Sequence, residues 1–112
     1  MSIAEFVTII EDNGKGVRGY IECSQLARIK MEEIPDMATA YFLLSIACDR
    51  FVDAYDDQPL FSQKAEDEFV IFKSYVDLFA IAEKENSETV KMKALNDVAR
   101  KVAEHKYYLS EV

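Results

Sequence analysis

Between Asp36 and Asp57 the sequence reads DMATAYFLLSIACDRFVDAYDD. Met37, Tyr41, Leu44, Cys48, Phe51 and Tyr55 recur at steps of three and four, a spacing that gathers side chains on one face of an α-helix and on no face of a strand. Phe42, Leu43, Ile46 and Ala47 widen that face. From Thr39 to Ala47 the only other polar residue is Ser45, so the first half of this helix is expected to be buried nearly all round. Asp36, directly after Pro35, is expected to cap it by accepting from the first-turn amides.

The second half of the same stretch turns acidic. Asp49, Asp53 and Asp56 are spaced four and three apart and form a stripe, with Asp57 beside it. Like charges at this spacing oppose the helix by roughly 0.2–0.5 kcal/mol per pair. Asp56 and Asp57 also stand near a helix C-terminus, where the macrodipole disfavours anions. A stripe that works against its own helix invites a partner, although an ordinary solvated face would look the same.

The rest of the chain supports an all-α fold. Ser2 and Glu5 fit a capping box ahead of Ile3, Phe6, Val7 and Ile10, and Asn13-Gly14 supplies a stop. The alternative over residues 5–23 is a β-hairpin, with FVTII and VRGYIEC as strands around Asn-Gly. Gly16 and Gly19 predict a short or distorted element, followed by a short helix capped by Ser24 and ended before Pro35. Ser62 is expected to cap a long helix, SQKAEDEFVIFKSYVDLFAIAEKE. In its opening turns, Glu66, Asp67 and Glu68 are favoured by the macrodipole. Val70, Ile71 and Phe72 in a row predict burial on more than one side. Asn86 or Ser87 starts the last helix, with Val90, Ala94, Val98 and Val102 on its apolar face. Tyr107, Tyr108 and Leu109 are expected to pack over the end of the core. Short connections force the long helices antiparallel, giving a single domain, a four- to five-helix antiparallel bundle.

Charge bounds the partners. The net charge of −8 is uneven, with −6 of it carried by residues 36–68. Such a field repels nucleic acid and anionic membrane and attracts a basic surface. No run of ~18 apolar residues suggests a membrane span, and no signal-peptide pattern opens the chain, so the expected location is the cytoplasm. Cys23 and Cys48 form no metal-binding spacing; Cys48 falls on the apolar face and reads as a buried thiol.

Catalytic patterns are weak. Gly14, Gly16 and Gly19 have the GxGxxG spacing without a strand before them. His105 has no Ser or Cys positioned to be its nucleophile and reads as a surface or helix-end residue. Asp53-x-x-Asp56 and Glu85-x-x-Glu88 resemble the acidic pairs of all-α nucleotide pyrophosphohydrolases, which implies a metal-dependent hydrolase as one alternative. They depart from that family's Glu-rich order, and Glu85 and Glu88 straddle a helix boundary. No catalytic residue, metal ligand or cofactor site is therefore assigned, and the chain is read as a non-enzyme.

What remains is clustered acidity on a small domain. The turn at residues 56–62 is expected to bring the ends of two acidic helices together. Asp49, Asp53, Asp56, Asp57, Glu66 and Asp67 are then the candidate partner-binding residues. The expected function is a binding module, an inhibitor that neutralises a basic protein such as a nuclease toxin by electrostatic mimicry. Immunity proteins and antitoxins share this size and charge, though no motif of theirs is present. The competing class is a structural subunit that homodimerises through an apolar helix face.

Overall fold

The structure is a computed structural model that describes residues 2–107. Five α-helices follow in order: α1 Glu5–Asp12, α2 Val17–Glu33, α3 Ala38–Tyr55, α4 Ser62–Glu85 and α5 Glu88–Glu104. A 3-10 turn, Pro35–Met37, precedes α3. No strand occurs among the described residues, so the region of the alternative hairpin is helical. Tyr108 and Leu109 lie outside the described residues.

The central helix is α3, and its predicted stripe is the core. Tyr41, Leu44, Cys48, Phe51 and Tyr55 are all buried, together with Met37 just before the helix. Its principal neighbour is α2, with which it forms the most extensive helix pair. α4 packs chiefly on α5, which in turn contacts α3, while α1 lies over α2 and α4. Burial is not all round. Phe42 is 48% exposed on α3 and Val70 56% exposed on α4. Both face away from the neighbouring helices, which cover only part of each cylinder.

Several helix ends differ from the sequence expectation. Asp36 makes no side-chain cap: it sits within the 3-10 turn, where Pro35 sets the backbone, and its carbonyl accepts from Lys91 Nζ at 3.1 Å. The Ser2 hydroxyl accepts from the Ala4 amide at 3.2 Å, so Ser2 tightens the turn before α1 in place of a reciprocal capping box. Ser62 is the first residue of α4 and makes no cap, whereas Ser87 caps α5 by accepting from the Val90 amide. Asn86 closes α4 in the left-handed region at φ 53°.

The largest difference concerns α2. It runs unbroken from Val17 through Gly19 and Ser24, so Ser24 is interior and caps nothing. Gly19 is there for space. A Cβ at this position would meet the Ile10 Cα at 3.1 Å and the Asn13 Cβ at 3.2 Å, so α1 packs directly onto α2 backbone. The chain reverses between the two helices through Gly14 (φ 68°) and Lys15 (φ 62°). Lys15 adopts a conformation unfavourable for a side-chain-bearing residue. It is held by Glu66 at 2.5 Å and by the ring of Phe69, 4.7 Å from its Nζ.

Candidate functional site

The six candidate acids fall into two groups. Asp49 and Glu66 are already neutralised. Asp49 accepts from Ser24 Oγ and from Arg28, each at 2.6 Å, which ties α3 to α2. Glu66 pairs with Lys15 and so turns toward the α1–α2 connection. Asp53, Asp56 and Asp57 are exposed and form no salt bridge among the described residues; Asp67 accepts only from the neutral Gln63 amide, at 2.9 Å. Asp56 caps the C-terminal end of α3 in extended geometry, and Asp57 follows at φ 62°. The uncompensated carboxylates thus cluster at the α3–α4 connection and just before it.

The same connection carries Leu60 and Phe61. Leu60 is half-buried against the core, but Phe61 is 70% exposed and stands between Asp57 and Asp67 in sequence. A shallow groove of about 450 Å³ begins at Asp53 and runs between α2 and α3 past Ile21, Ser24, Gln25, Arg28, Asp49 and Val52. Its floor is mixed: a carboxylate at one edge, the Arg28–Asp49 pair further in, and Ile21 and Val52 between.

A second polar cluster, missed from the sequence, is structural. Glu68 stands among the opening acids of α4, yet it is buried and 5% exposed. Its carboxylate accepts from the Tyr55 hydroxyl at 3.1 Å and pairs with His105 Nε2 at 2.8 Å. His105 is the C-cap of α5 and is half-buried, so it is a helix-end residue but not a surface one. Beside it Arg50 donates to the carbonyl oxygens of Val102 and His105 and lies over the Tyr107 ring, 5.2 Å from its centroid. Tyr107 packs edge-on against Phe51 and Tyr55, as expected of the aromatic tail. Burial pushes the phenols of Tyr20 and Tyr107 well up and that of Tyr75 to about 12, with the nearby Glu68 charge adding to each.

Among the described residues, no serine, threonine or cysteine hydrogen-bonds to Glu68 or His105. No group of three or more His, Cys, Asp or Glu side chains among the described residues is arranged to hold a metal ion. Glu85 ends α4 and Glu88 begins α5, with the left-handed Asn86 between them, so the two do not share a helical face. No described helix is long and apolar enough to cross a membrane. No family model matches the chain, and no curated protein or solved structure matches it either.

Proposed function

We propose that this chain is a non-enzymatic, acidic protein-binding module that neutralises a basic partner, of the kind an immunity protein or antitoxin provides against a nuclease. The observation that supports this reading is the exposed group Asp53, Asp56, Asp57 and Asp67, which forms no salt bridge among the described residues and adjoins the exposed Phe61 ring. Unpaired carboxylates steer a basic surface into contact, and an exposed aromatic side chain can bury area at the centre of such a contact. Asp49 and Glu66 contribute to the field but already hold their own cations.

The test is a partner captured from the source cells at low salt, released by a salt gradient and then purified. Its affinity is measured against the chain and against the variant Asp53→Lys/Asp56→Lys. Association should slow with salt, and the variant should bind roughly 10- to 100-fold more weakly at low ionic strength. Its melting midpoint should stay close to that of the parent, because both positions are exposed. Unchanged affinity in the folded variant defeats the reading.

A second reading is a homodimer. Val70 and Ile81, both more than half exposed on α4, are three turns apart and so lie on one stripe. A dimer that persists at high salt on sizing, and dissociates when both are changed to Lys, supports that alternative.

A further inference from the structure

Cys23 and Cys48 are the only cysteines of the chain, and both are fully buried free thiols. They face each other across the α2–α3 pair. One turn toward the N-terminus of α2, Tyr20 stacks on Phe51 with ring centroids 3.7 Å apart. In the next position, Ser24 bonds Asp49 at 2.6 Å. An antiparallel register that joins residue 20 to 51 and residue 24 to 49 brings 23 opposite 48. Cys23 is accordingly close enough to Cys48 to help push its thiol upward. Small residues, Ser24 and Ala27 on α2 and Ala40 and Ala47 on α3, are buried in the same two helices and let their backbones approach closely. A disulfide needs that closeness, because its Cα atoms stand only about 5.5–6 Å apart.

We propose that Cys23 and Cys48 are a redox pair, convertible to an intramolecular disulfide that staples α2 to α3. The oxidant is a low-molecular-weight disulfide of the glutathione type. One protein thiolate attacks an oxidant sulfur; the oxidant bond breaks, and the expelled thiolate takes up the proton that the protein thiol released. The second protein thiolate then attacks the protein-side sulfur of this mixed disulfide and expels the other small thiol. Two protein thiols lose two electrons, and one small disulfide becomes two small thiols.

Access governs the rate. Cys23 donates to the Phe6 carbonyl oxygen of α1 at 3.5 Å, so α1 lies over the pair. Burial and the neighbouring sulfur also push the Cys48 thiol upward, which keeps it protonated and slow to react. The pair therefore exchanges when α1 lifts or during folding, and resists reagents while the core is closed. This pair is independent of the acidic group and of the function proposed for it.

An equilibrium experiment removes access as a variable. The full chain is refolded from urea in equal concentrations of reduced and oxidised glutathione, quenched with iodoacetamide and weighed intact. The expected product is a monomer lighter by two hydrogens and unalkylated, with peptides around Cys23 and Cys48 joined. Its helical circular dichroism should be unchanged, and its melting midpoint about 10 °C above that of the reduced chain, since the bond closes a loop of moderate length. The Cys48→Ala variant should end as a mixed disulfide or an alkylated thiol. Two alkylated thiols in the refolded parent, glutathione adducts at both positions, bridges between chains, or a midpoint no higher than that of the reduced form would each overturn the proposal.

Discussion

Replacing Glu68 with Leu isolates the buried polar cluster. The side chain is 5% exposed, so Leu occupies a site already closed to water. What disappears is one acceptor shared by two donors, the Tyr55 hydroxyl at 3.1 Å and His105 Nε2 at 2.8 Å. Each hydrogen bond lost from a closed interior costs about 1–3 kcal/mol. The added apolar contact of Leu returns about 1–2 kcal/mol of this. A net loss of about 2–3 kcal/mol follows, or a fall in melting midpoint of about 10 °C for a chain of this length. Glu66→Leu, two positions away, is the control; it breaks only an exposed pair and should cost about 1 kcal/mol or less. Urea unfolding of Glu68→Leu, His105→Leu and the double variant closes a cycle in which a coupling of about 1–3 kcal/mol is expected. A coupling near zero, or a Glu68→Leu chain as stable as the parent, would refute the claim that this carboxylate holds the end of α5 to the core.

Two further substitutions probe the packing. Tyr20 has the one buried side-chain polar atom without a hydrogen-bond partner among the described residues, so Tyr20→Phe should be neutral or stabilise by about 1 kcal/mol in urea unfolding. A clear loss would show that the hydroxyl has a partner. Gly19→Ala should destabilise by about 1–3 kcal/mol despite alanine's higher helix propensity, because the added methyl meets the Ile10 backbone. A more stable variant would mean that α1 shifts at little cost.

The elements whose signal is periodic were legible. The stripe from Met37 to Tyr55, the Phe69, Phe72, Val76 and Phe79 face of α4 and the Val-rich face of α5 lie where their three- and four-residue spacing put them. Glycine misled the reading of α2. Local propensity argues for a break at Gly19, but close contact with α1 outweighs it, and that contact has no trace in the local sequence. Ser24 carried the same ambiguity, since a serine that bonds a carboxylate on the next helix looks like one that caps its own. The candidate acids were visible as a stripe. Which of them are already paired was not, because Arg28 and Lys15 reach Asp49 and Glu66 from distant stretches of sequence. Glu68 and His105 were hidden for the same reason. Each has an ordinary local explanation, as a first-turn acid and a helix-end histidine, and only tertiary packing joins them.

The position of His105 also bears on the order in which the chain becomes stable during synthesis. Its partner carboxylate precedes it by 37 residues. A chain growing from its N-terminus has all of α4 in hand before the imidazole exists. Packing α4 against α3 at that stage would take the Glu68 carboxylate out of water with Tyr55 as its one described partner, and desolvating a poorly compensated ion opposes the step. Arg50 waits likewise for the carbonyls of Val102 and His105. The α2–α3 pair draws on neither and can assemble early. The α4–α5 half reaches its full stability only when the end of α5 arrives, so a chain stalled before His105 should hold a firm first half and a loose second one.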